Sequence, residues 1–326
     1  MRFRIEESKG HVGRIISIRD TITSGSASIL PDRGARLDRL DLPFSGSLRN
    51  LIDGPGDAID DPWYKNALLI PFPSRLPGGS FEWNNRHYVL PCNFPDSGIA
   101  LHGFFADRPF RITSTQSTDT SMTLVTSSRY SGDIEGFPFP FDVVLTDTLD
   151  TDPSFTRTIT IRNRAHIPIP MMAGWHPYFS LDTSLNGLVL GVPSTERMEL
   201  DASMLPTGRT IDTRWFDSGA PIGLRSLNDG FRMPCSTIPF SVSLSDPASG
   251  LLLRIGIDRG PAQFRIVHLF TPPSRTSISI EPLTGYGFGL NTGLDRLILD
   301  PNASFSASYR ITLTSIFSGN SESSPD

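Results

Sequence analysis

The stretch FSASYRITL, residues 305–313, indicates how this chain folds. Apolar side chains stand at every second position from Phe305 to Leu313, and serine, arginine or threonine stands between them. Successive side chains of an extended strand point to opposite faces, so this alternation predicts a β-strand with one buried face. The sequence FSVSLS, residues 240–245, has the same alternation and predicts a second strand of this kind.

Further segments with this period are rich in threonine, valine and isoleucine and are also predicted to be strands. They are residues 121–128, 141–149, 155–162, 251–258 and 264–270. Glycine and proline, with 28 residues each, leave little room for long helices, and no segment keeps helical periodicity over three turns. Many strands separated by Gly, Pro and Asp turns predict an all-β protein, an antiparallel sandwich or barrel.

The chain has 326 residues and no change in composition that would separate a second domain. We therefore expect one domain over residues 1–317, followed by a polar, disordered tail at 318–326. The N-terminus lacks the apolar run of a signal peptide, and no apolar stretch approaches the ~20 residues of a membrane span. These features predict a cytoplasmic protein that is not bound to a membrane, and they leave its state open between monomer and dimer.

Composition also argues against several classes of function. A net charge of −5 does not suit a nucleic-acid-binding protein, which needs a basic face. Only two lysines, Lys9 and Lys65, are available for chemistry that needs an amine nucleophile. Two cysteines, Cys92 and Cys235, are too few for a disulfide framework or a zinc cluster, and we expect free thiols.

The histidines and glycines do not form a recognisable cofactor motif. None of the six histidines belongs to an HExxH or HxH motif or to a Cys/His pair at metal-ligand spacing. The sequence also lacks a GxSxG elbow, a P-loop and a GxGxxG between a strand and a helix. We therefore predict that the protein works without a cofactor or a metal, although a metal site assembled from distant strands stays open.

The stretch GWHPYFSL, residues 174–181, alternates polar and apolar side chains in an unusual way. In a strand His176, Tyr178 and Ser180 would share one face, and Trp175 and Phe179 would lie on the other. The aromatic face suits a core. The opposite face offers hydrogen bonds and an imidazole, which predicts contact with a polar ligand.

Two further stretches place ionisable groups in similar surroundings. In TSISIEPL, residues 276–283, Ser277, Ser279 and Glu281 would share one strand face, and the proline after the glutamate predicts that the carboxylate lies at the rim of a sheet. In IALHGFFADRPF, residues 99–110, His102 stands beside a glycine and several aromatic residues. Each stretch alone is a weak signal, because a single strand histidine is more often structural.

Taken together and in this order, the motifs resemble the aldose 1-epimerase (galactose mutarotase) family over roughly residues 12 to 315. The motifs that carry the resemblance are Ser74–Arg75 with Gly79–Ser80–Phe81, Tyr88 to Asn93, Leu101–His102–Gly103, His176–Pro177–Tyr178–Phe179, Pro206–Thr207–Gly208, Asn228–Asp229 and Glu281–Pro282. The resemblance implies a galactose mutarotase-like antiparallel β-supersandwich and a free hexose as the small-molecule partner.

The resemblance also implies roles for single residues. Glu281 would be the general base, His176 the general acid and His102 a second active-site histidine. Arg75 and Asp229 would hold sugar hydroxyls.

Other positions match less closely. Tyr178 and Asn93 fall in the matching motifs and would also bind substrate, whereas Ser74 and Ser180 stand where the family usually has asparagine. These departures leave the preferred sugar open. Asp217 lies near enough in sequence to compete with Asp229.

The chemistry of mutarotation suits these residue types. A base removes the proton of the anomeric hydroxyl while an acid protonates the ring oxygen, and no cofactor takes part. We expect Glu281 and His176 on opposite sides of the bound sugar and on one face of the larger sheet. With an imidazole near its ordinary pKa of ~6.5 and a carboxylate below it, His176 would be protonated and Glu281 ionised near neutral pH.

Three other functions stay open at this point. One is a sugar-binding module that keeps the pocket without turnover. Another is a hexose-phosphate epimerase, which would need arginines around the phosphate, and the candidates are Arg75, Arg86, Arg108 and Arg111. The third is a glycoside hydrolase, whose second carboxylate could be only Asp229 or a neighbour.

Overall fold

The computed structural model describes residues 2–58, 60–234, 240–257 and 264–319. Its regular structure is almost entirely β. The strands of the N-terminal part are β1 (Phe3–Gly10), β2 (Gly13–Asp20), β3 (Ser26–Leu30), β4 (Arg36–Phe44), β5 (Ser47–Asn50), β6 (Leu68–Leu69), β7 (Arg75–Pro77), β8 (Ser80–Trp83), β9 (Arg86–Val89) and β10 (Ile99–Leu101).

The middle and C-terminal parts continue in the same way. The middle strands are β11 (Arg111–Ser117), β12 (Ser121–Tyr130), β13 (Phe141–Asp150), β14 (Ser154–Asn163), β15 (Ile169–Met171), β16 (Gly174–Trp175), β17 (Tyr178–Phe179), β18 (Val189–Gly191) and β19 (Glu196–Leu200). The last strands are β20 (Pro206–Asp212), β21 (Ala220–Pro221), β22 (Asn228–Arg232), β23 (Phe240–Asp246), β24 (Leu251–Ile257), β25 (Ile266–Phe270), β26 (Ile278–Leu283), β27 (Leu297–Leu299) and β28 (Ser304–Ser315). In the described part of the chain, helical structure is limited to α1 (Gly289–Thr292) and to short 3₁₀ turns at Pro95–Ser97, Leu185–Gly187 and Ile316–Gly319.

The strands predicted from alternation are confirmed, with small shifts at their ends. The stretch FSASYRITL lies inside β28, and its apolar side chains from Phe305 to Leu313 are all buried. The segments at 121–128, 141–149, 155–162 and 240–245 lie inside β12, β13, β14 and β23. The strand predicted at 251–258 is β24, which ends at Ile257, while Asp258 lies outside the described residues. The strand predicted at 264–270 begins only at Ile266.

Two large antiparallel sheets pack face to face and confirm the predicted all-β sandwich. Within the described residues, one sheet has nine strands in the order β11-β12-β13-β14-β28-β24-β23-β18-β21. The other has eight, in the order β20-β19-β22-β25-β26-β16-β6, with β17 also pairing with β26. Trp175 of β16 lies against Tyr309 of β28, with ring centroids 5.0 Å apart, so the core fills the space between the sheets. Strands β1 to β5 form a further sheet at the N-terminal end.

The ends of the chain and the cysteines add little to this picture. Ser318 and Gly319 end the last 3₁₀ turn, and residues 320–326 of the predicted tail lie outside the described residues. Cys92 is a free thiol, and Cys235 also lies outside them. Over the described ranges, none of the helices is long and apolar enough to cross a membrane.

Candidate active site

Three ionisable side chains lie side by side on the eight-stranded sheet. Strand β26 pairs with β25 so that Glu281 is opposite His268. On its other side, Tyr178 is opposite Ser279 and Gly174 is opposite Leu283. The same register places His176, which joins β16 to β17, directly opposite Glu281. The predicted convergence of His176 and Glu281 on one face is therefore confirmed.

Two details of the predicted location are wrong. The residues lie on the eight-stranded sheet, which has fewer described strands than the nine-stranded one. Glu281 is not at a rim, because β26 continues through Pro282 and pairs with strands on both sides. Pro282 stands where the pairing of β26 with β16 and β17 is interrupted, between Leu283 opposite Gly174 and Ser279 opposite Tyr178. All six residues of β26 are buried, which brings the carboxyl into the interior.

The His176 ring is fixed by its neighbours. Ser279 donates its hydroxyl proton to the carbonyl of Pro177 at 3.1 Å, and its Oγ lies 2.9 Å from Nδ1 of His176. Since the serine proton is already used, Nδ1 carries the imidazole proton and donates it to the serine oxygen. The Tyr178 ring stacks on the imidazole at 5.0 Å and donates its hydroxyl to the carbonyl of Trp63. The other ring nitrogen of His176, Nε2, faces Glu281 and lies 3.3 Å from its Oε1.

His102 approaches the same place from the loop after β10. Its backbone has a φ of +60°, and the next residue, Gly103, has a φ of +68°. A Cβ at Gly103 would lie 2.1 Å from the carbonyl oxygen of Ile70, so this turn requires glycine. Nδ1 of His102 accepts the backbone N–H of Ser74 at 3.1 Å, which places the imidazole proton on Nε2. The His102 and His176 rings lie 5.3 Å apart.

A third histidine, His268, was not singled out by the sequence. It lies on β25 with both ring nitrogens hydrogen-bonded, Nδ1 to the Tyr286 hydroxyl at 2.7 Å and Nε2 to Oδ1 of Asn228 at 2.9 Å. Both faces of β25 are largely buried, so the strand has no polar alternation that would mark the histidine. The signal that could have found it is a lone imidazole in an apolar strand, next to the strand that carries Glu281.

Burial controls the protonation of this cluster. Burial lowers the pKa of His176 well below 6.5, and the neighbouring histidines His102 and His268 lower it further. Burial raises the pKa of Glu281 well above 4.5. The expectation of ordinary pKa values for the two groups is therefore wrong: burial penalises both charged forms, so the single proton that the pair holds at neutral pH favours the carboxyl. Oε1 of Glu281 is buried without a hydrogen-bond partner among the described residues, and a ligand hydroxyl would satisfy it.

The cluster borders a cavity of about 190 Å³. Its polar wall includes Arg75, His102, His176, Asn228 and Glu281, and its aromatic wall includes Trp63, Tyr64, Phe94, Tyr178 and Phe270. Trp63 and Phe94 are 39% and 52% exposed, so the aromatic wall reaches the surface. Burial lowers the pKa of Arg75, and the nearby Tyr286 and Glu281 oppose this change. The cavity thus combines one cation, neutral imidazoles and flat apolar rings.

Comparison with known proteins identifies relatives of this chain. The sequence model of a family described as aldose 1-epimerase matches residues 15–237. The chain belongs to the aldose 1-epimerase family. A relative in Escherichia coli K12, the uncharacterized protein YihR, is 23% identical over 238 residues, which are 72% of this chain and 74% of YihR.

Solved structures agree with the fold of this aldose 1-epimerase family member. A galactose mutarotase-like protein from Clostridium acetobutylicum superposes with a TM-score of 0.84, at 16% identity over 96% of this chain and 99% of that one. A galactose 1-epimerase from Lactobacillus acidophilus superposes with a TM-score of 0.77, at 15% identity over 96% and 98%. The predicted galactose mutarotase-like fold is confirmed.

Two side chains expected from the family resemblance to bind substrate lie outside the cavity wall. The carboxylate of Asp229 accepts Nη1 of Arg197 at 2.8 Å, and its neighbour Asn228 faces the cavity instead. Asn93 donates to the hydroxyl of Tyr64 and to the carbonyl of Leu101, and it lines an adjacent cavity of about 510 Å³. The polar atoms of both side chains are engaged in hydrogen bonds within the protein, so these residues support the cavity wall instead of facing the cavity.

The stretch GWHPYFSL follows its predicted alternation only in part. Trp175 and Phe179 are buried in the core, and His176 and Tyr178 line the cavity. The strand is interrupted at His176, whose N–H and C=O bond to the backbone of Ala67 and Asn66. Ser180 does not share this cavity with His176 and Tyr178, since its hydroxyl donates to the carbonyl of Thr276 and it borders a different cavity.

Among the described residues, no group of three or more His, Cys, Asp and Glu side chains has an arrangement that could hold a metal ion. His102, His176 and His268 lie near one another, but each has at least one ring nitrogen engaged with a serine, a tyrosine, an asparagine or the backbone. The prediction of a site without a metal stays a prediction.

Acid is expected to destabilise this fold through its buried imidazoles. Burial lowers the pKa of His102 from 6.5 to about 3 and the pKa of His268 to about 4. The unfolded chain takes up these protons near pH 6.5, whereas the folded protein takes them up only near the lower values. The unfolded state therefore binds more protons in between, and stability falls as the pH is lowered through this window, by up to about 1.4 kcal/mol per pH unit for each group.

Urea unfolding at a series of pH values measures this slope. His102→Asn keeps an acceptor for the Ser74 N–H but removes one titrating group. The free energy of unfolding of the variant should therefore fall less steeply with pH, by the contribution of one proton, up to about 1.4 kcal/mol per pH unit. Glu281, whose pKa is raised, changes the free energy of unfolding in the opposite direction with pH, but it does so equally in the wild type and the variant. Equal slopes for wild type and variant would contradict the prediction.

Proposed function

We propose that this protein interconverts the α and β anomers of a free aldose by acid/base ring opening and re-closure. The observation that carries the proposal is the buried pair of His176 and Glu281, with Nε2 and Oε1 3.3 Å apart in a small cavity. Such a pair supplies one proton donor and one proton acceptor at the same place. Binding alone would need neither.

The reaction needs both functions at a single carbon. The base takes the proton of the anomeric hydroxyl, the bond between C1 and the ring oxygen breaks, and the ring oxygen takes a proton from the acid. The open-chain aldehyde then rotates about the C1–C2 bond and closes in reverse. Both oxygens are bonded to C1, so neighbouring acid and base groups suit the reaction better than the predicted positions on opposite sides of the sugar.

The assignment of roles follows from the family resemblance. Glu281 acts as the base of ring opening and His176 as the acid, and the two exchange roles on closure. Burial favours the shared proton on Glu281, while the positive charge of Arg75 lowers the pKa of Glu281 and so favours the reactive distribution. Either distribution leaves one donor and one acceptor for the two oxygens.

The remaining wall suits the rest of a sugar ring. Arg75 and the Nε2–H of His102 are donors for hydroxyl oxygens. Trp63 and Phe94 present flat apolar surfaces at the mouth, which suit the C–H face of a pyranose. The substrate that fits these walls is a neutral monosaccharide.

The competing functions have less support. A phosphosugar epimerase would need several arginines, but Arg86 and Arg111 are exposed and Arg108 is paired with Asp133 outside the cavity. A glycoside hydrolase would need two carboxylates across the bond, and Glu281 is the one carboxylate lining the described cavity.

Polarimetry tests the proposal directly. Freshly dissolved α-glucose and α-galactose should reach rotational equilibrium faster with the protein than without it. Glucose 6-phosphate and galactose 6-phosphate provide the comparison for a phosphosugar substrate. If no free aldose is accelerated while one of these sugars binds, the protein is a binding module and the proposal fails.

His102→Asn is expected to lower kcat/KM by roughly 10- to 100-fold, because it removes one donor to the substrate. The asparagine oxygen can replace Nδ1 as acceptor for the Ser74 N–H, so the loop should keep its shape. The same polarimetric assay over a range of sugar concentrations separates kcat from KM. A loss as large as that from removing Glu281 would instead give His102 a share in proton transfer.

A further inference from the structure

A directed chain of hydrogen bonds runs along the cavity wall. It connects Tyr286, His268 and Asn228, with distances of 2.7 Å from the tyrosine hydroxyl to Nδ1 and 2.9 Å from Nε2 to Oδ1. All three side chains line the cavity. None of them takes part in the proton transfer proposed above, so their role in the site needs a separate explanation.

The direction of this chain is fixed at its outer end. Asn228 turns its amide oxygen toward Nε2 of His268, and an amide oxygen can only accept, so Nε2 carries the imidazole proton. Nδ1 of the neutral imidazole is then an acceptor and receives the proton of the buried Tyr286 hydroxyl.

The backbone leaves room for this arrangement at one specific position. Gly230 pairs with His268 across β22 and β25. A Cβ on Gly230 would lie 1.9 Å from the Tyr286 hydroxyl oxygen, so the tyrosine reaches the imidazole only because position 230 is glycine. The contact between Tyr286 and His268 is therefore built into the sheet.

We propose that Tyr286 and His268 set the orientation of the Asn228 amide, so that its nitrogen faces the cavity and donates to a substrate oxygen. His268 is a positioning residue, and Asn228 determines specificity for a hydroxyl oxygen at the place it faces. The kinetic part of this proposal rests on the proposed mutarotase function. Without the tyrosine hydroxyl, the imidazole can carry its proton on Nδ1, and the amide can turn over to present its oxygen.

A double-mutant cycle of Tyr286→Phe and Asn228→Asp tests the connection. Aspartate keeps an acceptor for His268 but lacks the amide donor. Each single variant should raise KM for a free aldose about tenfold, the effect of one lost hydrogen bond. The double variant should match Asn228→Asp alone, because without the amide its orientation no longer matters. An effect of Tyr286→Phe that persists in full in the aspartate background would overturn the proposal.

The imidazole tautomer gives a readout that does not depend on turnover. Long-range ¹H–¹⁵N spectra, with His268 assigned from the spectrum of His268→Gln, should show the proton on Nε2 in the wild type and partly on Nδ1 in Tyr286→Phe. Tyr130→Phe is the matched control, because it loses a buried tyrosine hydroxyl that bonds to the carbonyl of Phe137 away from this cavity. It should change neither KM nor the tautomer. A wild-type proton on Nδ1 would overturn the proposal even if mutarotation is confirmed.

Discussion

Replacing Glu281 by glutamine is expected to lower the kcat of mutarotation at least about 10²-fold while the fold stays intact. Glutamine has nearly the same shape, so it can occupy the buried position between His176 and His268. A carboxamide does not exchange a proton at neutral pH, whether the group is needed as base or as acid. Polarimetry gives kcat, and an NMR titration with the sugar should show binding within several-fold of the wild type.

Glu82→Gln is the matched control, since Glu82 is an exposed residue of β8 and should tolerate the change without loss of activity. Circular dichroism and the unfolding midpoint establish that Glu281→Gln is folded. If Glu281→Gln keeps more than about a tenth of the wild-type kcat, another residue transfers the proton and the prediction is wrong.

The shifted pKa values also predict the pH range of activity. In the proposed mechanism, the pair of His176 and Glu281 holds one proton. Losing it leaves a buried negative charge and gaining a second leaves a buried positive charge, and burial disfavours both. The raised pKa of Glu281 and the lowered pKa of His176 therefore widen the range in which the pair holds one proton. This behaviour suits an enzyme that works in both directions at neutral pH.

How far the sequence could predict the fold depends on which faces of a strand are buried. Strand β28 has one face in the core, so its period of two is visible in the sequence. Strands β25 and β26 are covered on both faces, and their burial cannot be deduced from alternation. The proline after Glu281 predicted a rim position, and no alternation in β26 showed that this residue lies in the interior.

The site residues show the same limit in another form. His176 and Glu281 could be predicted because their short polar patterns, weak by themselves, match motifs of the aldose 1-epimerase family in order. Their direct pairing could not, because it depends on the register between β26 and β17, which is a long-range contact. The ion pair that turns Asp229 away from the cavity could not be predicted either, because its partner, Arg197, lies on another strand. His268 lies in a strand that is largely buried on both faces, so no polar alternation marks it.

His176→Asn is expected to lower kcat by about 10²- to 10⁴-fold, with a smaller change in KM. The asparagine amide can still donate to the oxygen of Ser279, as Nδ1 does, so the backbone between β16 and β17 should keep its path. The shorter side chain has no atom at the position of Nε2, which approaches Glu281. Polarimetry or NMR exchange between the anomers measures both constants.

The exposed His166 provides a control, since His166→Asn should have wild-type kinetics. Combining His176→Asn with Glu281→Gln gives the sharper test. Two groups that act on one shared proton form a unit, so the double variant should be little slower than the slower single variant. If the two losses multiply, each residue has an independent partner for its proton, and the pair 3.3 Å apart is not the catalytic unit.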